Sequence, residues 1–172
     1  LQLGIIVLTN AEEGAAFTAI TNQIKDSYLG ITGTDRVPEY AAARKMQLER
    51  AKKLTDSIWR DADRIASTAK AADPSIYAGV YRDAWLGEVT ISMKNNRLWF
   101  DSKRSPRLTG EMLPYKGNSF IVKWNDRSMD ADAYVIFSLD ERGIATGITM
   151  KPVSPLTDFS YDFQDLDFHR EK

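Results

Sequence analysis

One Ser-x-x-Lys pattern, Ser67-Thr68-Ala69-Lys70, is the part of this sequence that comes nearest to a motif for nucleophilic catalysis. A serine hydroxyl is a weak nucleophile, and a lysine amine about one helical turn away can act as its base. However, about one such match is expected by chance in a chain of this composition. The pattern also lies at the end of a charged helical segment, just before a break at Pro74. We therefore interpret Ser67 as a surface residue and predict no catalytic residue in this chain.

A second candidate for chemistry is His169, the single histidine of the chain. Any Ser-His-Asp triad would have to use it, because the imidazole is the base of that arrangement. It lies next to Arg170 and Glu171 near the end of the sequence, where a histidine is usually solvated. We therefore predict a surface role for it.

Acidic residues recur in two segments and could bind a hard cation through carboxylate oxygens. They are Asp130, Asp132, Asp158, Asp162, Asp165 and Asp167. The loop glycine and closing glutamate of a calcium hand are missing from both segments. We predict a solvated strand face that pairs with arginines, and we expect neither a metal nor a cofactor. The candidate partners are Arg82, Arg104, Arg107 and Arg127.

The composition excludes several classes of function. With 23 basic and 24 acidic residues, and no Lys/Arg stripe between aromatic residues, the chain does not fit nucleic-acid binding. Cysteine is absent, which excludes disulfides and thiolate chemistry. The opening apolar run, Leu1 to Leu8, is far shorter than the ~20 residues of a membrane span. It also lacks the basic start and cleavage site of a signal peptide. Because the chain begins with Leu1 rather than Met, we expect a piece of a larger protein.

The N-terminal third predicts one strand and two helices. Residues 3–8 are β-branched and apolar, as in a strand buried on both faces, and Thr9-Asn10 offers a turn and a helix cap. The helix that follows has an apolar stripe ended by Gly30 and Gly33. A second helix should run from Glu39 to about Ser67, with Pro38 in its first turn. The stripe of the first helix consists of Phe17, Ile20, Ile24 and Tyr28.

From Ile76 onward the apolar period changes to two, which predicts strands. Turn signals such as Asn95-Asn96 and Glu141-Arg142-Gly143 separate them at short spacing. Closure removes exposed strand edges, so the sequence predicts an antiparallel, lipocalin-like barrel of about eight strands in an α+β chain. A shift of the apolar set near Gln164-Asp165 predicts a bulge there. The predicted strands are 76–82, 88–93, 98–102, 107–112, 120–124, 133–139, 145–151 and 159–168.

Large aromatic side chains are concentrated in the predicted barrel. A small barrel either fills its interior with side chains or leaves a cavity for one ligand. These residues are therefore the candidates for ligand binding or for an interface. They are Tyr77, Tyr81, Trp85, Trp99, Tyr115 and Trp124.

Several segments resemble the C-terminal lipocalin-like domain, of the DUF3471 type and related to peptidase S12 proteins, of β-lactamase-like and penicillin-binding-protein-like serine hydrolases. The segments are IYAGVYRDAW from Ile76, DADAY from Asp130, and TDFSYDFQDLDF from Thr157, with GIIVLTN and AFTAITNQI near the start. The resemblance implies three parts: residues 1–30 as the last strand and helix of a catalytic domain, 31–74 as a linker and connector helix, and 75–172 as the barrel. In those hydrolases the reactive serine opens a buried helix, which Ser67 does not.

The resemblance implies a non-catalytic accessory domain that docks on its own catalytic domain and contributes to self-association or shapes access to the active site. The family also favours a periplasmic or secreted location. Leu1 to Leu8 would then be an unpaired strand able to pair with a second copy. One alternative is a module that binds a small molecule or peptide in the barrel interior. A second alternative, an enzyme in its own right, lacks the motifs of the family.

Overall fold

A computed structural model describes residues 2, 4–11, 13–69 and 73–171 of the chain. The chain divides into a helical unit, residues 1–52, and a barrel unit, residues 53–172. Helices α1 (Gly14–Tyr28), α2 (Arg36–Thr68) and α3 (Pro74–Tyr77) precede the strands, and α2 continues from one unit into the other. The predicted α+β class is confirmed. None of the three helices in the described part of the chain has the length and apolar character needed to cross a membrane.

In the helical unit, α1 packs on the first half of α2 through polar side chains. Asp26 is buried and accepts a 2.6 Å hydrogen bond from Arg36 Nε, and Asn22 donates to the Tyr40 hydroxyl over 2.6 Å. Both predicted helices are confirmed. The predicted cap at Thr9-Asn10 is wrong, because α1 begins after Glu13, which makes no side-chain cap.

The apolar stripe of α1 lies on the side of the helix opposite these contacts. Phe17 and Ile20 are each 43% exposed and Tyr28 is 60% exposed, whereas Ala19 is buried on the other side. The fourth residue of the stripe, Ile24, is half-buried. The helix therefore presents its polar side to α2 and most of its apolar stripe to solvent, the reverse of the usual arrangement.

The predicted N-terminal strand is not formed. The described part of this run, residues 2 and 4–8, has no regular secondary structure, and residues 1 and 3 lie outside the described residues. Ile6 and Leu8 are 86% and 90% exposed. A strand needs a hydrogen-bonded neighbour, and the strands described in this chain pair with one another in the barrel.

The barrel unit is a closed antiparallel barrel of eight strands among the described residues, in the order β1 to β8, with β8 pairing with β1. This confirms the lipocalin-like barrel. The hairpin at Asn95-Asn96 has positive φ at both residues, as a two-residue turn requires. The strands are β1 (Gly79–Asp83), β2 (Gly87–Lys94), β3 (Arg97–Ser102), β4 (Thr109–Pro114), β5 (Ser119–Trp124), β6 (Ala133–Leu139), β7 (Ala145–Pro152) and β8 (Asp167–Arg170).

Two strand predictions are wrong at their ends. Residues 76–77 belong to α3, so β1 starts at Gly79. Most of the predicted last strand, 159–168, instead forms two 3-10 turns, Phe159–Tyr161 and Phe163–Asp165, and only Asp167–Arg170 is β8. The predicted bulge at Gln164-Asp165 is therefore absent, and the register shift lies at Ser138/Leu139.

Alternate side chains of the strands fill the barrel. The buried core includes Trp124, Tyr81, Phe100, Phe137 and Phe168, all with at most 1% exposure. The second half of α2 packs on the outer wall through a smaller cluster, in which Ala62 meets two buried barrel residues. These residues are Ile121 and Val153.

Candidate binding pocket at one end of the barrel

Four connections between strands meet at one end of the barrel. They are residues 84–86 between β1 and β2, 103–108 between β3 and β4, 125–132 between β5 and β6, and 153–166 between β7 and β8. Together they line an open pocket of about 460 Å³. Small-molecule sites typically have volumes of about 300–1,000 Å³, and this pocket falls within that range.

The pocket combines an apolar base with a polar, cationic edge. Its lining includes the aromatic residues Trp85 and Tyr161 and the serines Ser105 and Ser160. The charged lining residues are Arg104 and Arg107, and no lining residue is acidic. The apolar side chains at the base are Leu86, Leu108, Met129, Phe163 and Leu166.

The buried carboxylate of Asp83 holds one wall of the pocket in place. It accepts hydrogen bonds from the backbone N–H groups of Trp85 and Leu86, both at 2.7 Å, and of Asp167 at 3.0 Å. Burial by itself raises the pKa of Asp83, but these backbone donors outweigh it, and the pKa lies below its ordinary value. The carboxylate thus joins the β1–β2 turn to the start of β8.

The two 3-10 turns bring the aromatic wall into the pocket. Asp158 caps the first turn by accepting a 2.7 Å hydrogen bond from the Ser160 N–H, and Asp162 adopts a left-handed conformation with φ of 44°. Phe163 is consequently buried in the barrel end, stacked on Tyr161 at 5.5 Å and on Trp124 at 6.4 Å.

The two arginines at the edge have different partners. Arg107 Nε donates to Asp126 Oδ2 at 2.7 Å and its Nη2 to Ser128 Oγ at 3.0 Å. Hydrogen bonds from Ser128 and Arg107 lower the pKa of Asp126 to about 2, so this carboxylate is ionised at neutral pH. Arg104 Nη1 instead donates to the Trp85 carbonyl at 2.6 Å, and no described carboxylate forms an ion pair with it.

The six predicted aromatic residues do not form one site. Tyr81 and Trp124 are buried in the core, where the Tyr81 hydroxyl donates to the Tyr77 carbonyl at 2.7 Å and Trp124 Nε1 donates to the Ala131 carbonyl at 2.6 Å. Burial raises the pKa of Tyr81 to about 12. Tyr77 lies in α3 and packs on this core from the end away from the pocket.

The other three predicted aromatics are nearer the surface. Trp99 is partly exposed, with Lys94 Nζ 5.0 Å from its ring. Tyr115 is also partly exposed and packs on Tyr134 at 5.5 Å beside α2. Trp85, which is 56% exposed, is the predicted aromatic that lines the pocket.

Of the other candidates from the sequence, Arg104 and Arg107 line the pocket, Asp158 and Asp162 lie in the turns beside it, and Ser67, His169 and Asp132 are not among its lining residues. Ser67 is exposed in the last turn of α2 and its hydroxyl donates to the Arg64 carbonyl at 2.8 Å. Lys70 lies outside the described residues. His169 is exposed on β8, 3.3 Å from Asp167. Asp132 pairs with Arg127, and no group of three or more acidic or histidine side chains among the described residues could hold a metal ion.

Sequence reasoning missed most of the pocket. Of the arginines predicted to pair with the aspartates of the two acidic segments, Arg107 pairs instead with Asp126 and Arg104 with a carbonyl, whereas Arg127 pairs with Asp132 as predicted. The alternating pattern predicts a strand at Tyr161 and Phe163, which instead lie in 3-10 turns. The signal that could have found the turns is the aspartate of Asp158-Phe159-Ser160. An Asp side chain can accept a hydrogen bond from the backbone N–H two residues later, and it therefore favours an Asx turn.

Residues 63–170, which contain the whole barrel and the pocket, match the family described as "Domain of unknown function (DUF3471)". The chain belongs to this family. Comparisons with curated proteins and with solved structures gave no match. The DUF3471 match begins inside α2, just after Ile58, Trp59 and Ala62, the α2 residues that pack on the barrel wall. The DUF3471 barrel therefore offers a filled interior and a pocket at one end, an arrangement suited to noncovalent binding.

Proposed function

We propose that this chain is a non-catalytic accessory domain of a serine hydrolase of the β-lactamase and penicillin-binding-protein type, and that α1 docks on the catalytic domain of that enzyme. The observation that carries the proposal is the outward-facing apolar stripe of α1. Phe17, Ile20 and Tyr28 are exposed to solvent, although α1 packs against α2 through its other side.

A helix that exposes its apolar side needs another surface to cover it. The resemblance of residues 4–10 and 16–24 to the last strand and helix of these hydrolases supplies the partner, since that helix covers the catalytic sheet. The exposed Ile6 and Leu8 fit the same reading, because a strand of that sheet would bury both.

The barrel supports a role other than catalysis. The lining residues of its pocket include serines but no histidine, lysine or carboxylate to activate them. The Ser67 hydroxyl is exposed and bonded within its own helix.

The first test is covalent labelling. Residues 1–172, and separately the longer enzyme that the proposal assumes, are treated with a fluorophosphonate or a β-lactam, and intact mass is measured. We expect an adduct on the longer enzyme and none on residues 1–172. An adduct on residues 1–172, above all at Ser67, would make this chain an enzyme and contradict the proposal.

The second test addresses docking. In the longer enzyme, Phe17→Asp places a charge in the stripe, and the control Ala42→Asp places the same charge at an exposed position of α2. We expect Phe17→Asp to slow acylation and lower the melting temperature, and Ala42→Asp to change neither. Equal behaviour of the two variants would show that the stripe is not a docking surface.

Self-association is a second candidate role, favoured by the 86% and 90% exposure of Ile6 and Leu8. Apolar segments without a strand neighbour are prone to pair with another copy. Sedimentation of residues 1–172 should show a dimer that the double variant Ile6→Lys, Leu8→Lys converts to monomer. A monomeric wild-type chain would remove this role.

A further inference from the structure

The pocket at the barrel end has an unbalanced charge. Its lining carries two guanidinium groups and no carboxylate. Arg107 is neutralised by Asp126 at 2.7 Å. Arg104 donates to a carbonyl, which carries no net charge, and no described carboxylate pairs with it. Among the described residues, the Arg104 guanidinium at the edge of the pocket therefore has no carboxylate partner.

Arg104 also has donors to spare. A guanidinium has five N–H donors in a planar fork, and the Trp85 carbonyl accepts from Nη1 alone. That single bond fixes the side chain beside the pocket without using the rest of the fork. The planar fork matches a carboxylate, which it can bind through two parallel hydrogen bonds.

The base of the pocket has the opposite character. Leu108, Met129, Phe163 and Leu166 are buried residues whose side chains face the pocket from three different connections. Trp85 stands beside them with 56% of its surface exposed. An apolar base with one cation at its edge is complementary to a molecule with an apolar body and a single negative charge.

We propose that this pocket binds a small amphipathic monocarboxylate, such as a medium-chain alkyl or aryl-alkyl acid. The carboxylate binds Arg104, and the apolar body lies on Leu108, Met129 and Phe163 against Trp85. This site lies at the end of the barrel, outside the filled interior, and it does not depend on the accessory role proposed above.

The walls are held in place before any ligand binds. Asp83 holds the backbone of Trp85 and Leu86. On the other side, the capped 3-10 turn and the stacking of Tyr161 on Phe163 hold the aromatic wall. Prior order of this kind reduces the entropy cost of binding.

The test uses decanoate as the probe and 1-decanol as its uncharged match, each titrated by calorimetry into residues 1–172. Arg104→Gln removes the free charge. Arg97→Gln is the matched control, because Arg97 is a half-exposed arginine on β3, paired with Glu111 at 2.6 Å and absent from the pocket lining.

We expect saturable decanoate binding that Arg104→Gln weakens about 10-fold or more, since charged hydrogen bonds of this kind are the strong ones. Arg97→Gln should leave the affinity unchanged, and decanol should bind the wild type and Arg104→Gln alike. No saturable binding by about 1 mM decanoate, or equal losses in both arginine variants, would overturn the proposal.

A measurement on the unmodified protein guards against misfolding of the variant. In NMR titrations of the wild type, decanoate should shift the Arg104 Nε–H and Trp85 Nε1–H signals and leave the Arg97 Nε–H signal in place. Shifts spread evenly over all three signals would mean unspecific surface binding and would contradict the assigned site.

Discussion

The helical unit and the barrel unit treat their apolar residues in opposite ways. In the barrel unit, large side chains such as Trp124, Phe100 and Phe168 are fully buried in the unit's own core. In the described part of the helical unit, the buried apolar residues are two alanines, Ala19 and Ala51. Its larger apolar side chains are exposed along α1 and before it.

This difference shows which unit is self-sufficient. Burial of apolar area is the main source of folding free energy. The barrel unit buries many large apolar side chains, whereas the described part of the helical unit buries two alanines, so the barrel unit gains far more folding free energy in this way. The helical unit depends on polar contacts such as the ion pair between the buried Asp26 and the partly exposed Arg36. Burying a charge costs desolvation free energy that offsets the attraction within the pair, so such a pair contributes little. We expect most of the stability measured for this chain to come from the barrel. Four predictions test this difference between the two units.

The largest effect is expected for Trp124→Ala. The ring is fully buried, lies 5.4 Å from Phe100 and donates to the Ala131 carbonyl. Its loss should lower the free energy of unfolding by about 3–5 kcal/mol, measured by urea denaturation with circular dichroism. The matched change in the helical unit, Phe17→Ala at a 43% exposed residue, should cost less than about 1 kcal/mol. Similar losses of unfolding free energy for both variants would contradict the difference between the two units.

A pair of identical substitutions in α2 locates where the barrel unit begins. Ala62 is fully buried against the barrel wall, so Ala62→Asp should cost about 3 kcal/mol by burying an unpaired charge. Ala42→Asp, at an exposed residue of the same helix, should cost less than about 0.5 kcal/mol. Urea denaturation measures the change in the free energy of unfolding for both variants. A small effect of Ala62→Asp would show that the packing of α2 on the barrel wall does not stabilise the barrel.

Two glycine substitutions, one in each unit, test how closely the backbone is packed. A Cβ at Gly110 would lie 2.1 Å from the Lys123 carbonyl oxygen, where β4 pairs with β5, so Gly110→Ala should cost about 3 kcal/mol. Gly30 follows α1 with φ of +72° and open space around it, so Gly30→Ala should cost only about 1 kcal/mol of strain. Thermal unfolding measures both, and the reverse order would contradict the packing seen at Gly110.

The smallest effect concerns pH. The pKa of Asp83 is below its ordinary value in the folded chain, so its contribution is present above the unfolded pKa of about 3.9 and is lost as pH falls through the folded pKa. Asp83→Asn should lower stability at pH 7 by about 1–2 kcal/mol and flatten the loss of stability between neutral and acid pH. If the wild type and the variant lose stability in parallel on acidification, Asp83 does not contribute in this way.

The barrel could be predicted in detail because its signals are local. Alternation of buried and exposed residues and turns such as Asn95-Asn96 predict seven of the strands within a few residues of their observed bounds. The eighth failed because Thr157 to Phe168 has the same alternation without a strand neighbour for most of its length. There Asp158 and Asp162 form turns, and Phe163 is buried in the barrel end.

Local sequence patterns alone predict the two long helices, the change from period 3.6 to period 2 near Ile76, and the closed antiparallel barrel. The pocket and the exposed side of α1 become visible only in the folded chain. Asp83 and Asp167 are 84 positions apart, and Arg107 has a carboxylate partner in Asp126 whereas Arg104 donates to the Trp85 carbonyl. Local patterns specify backbone conformation, but partners of this kind depend on how distant segments meet, and that is set when the barrel closes.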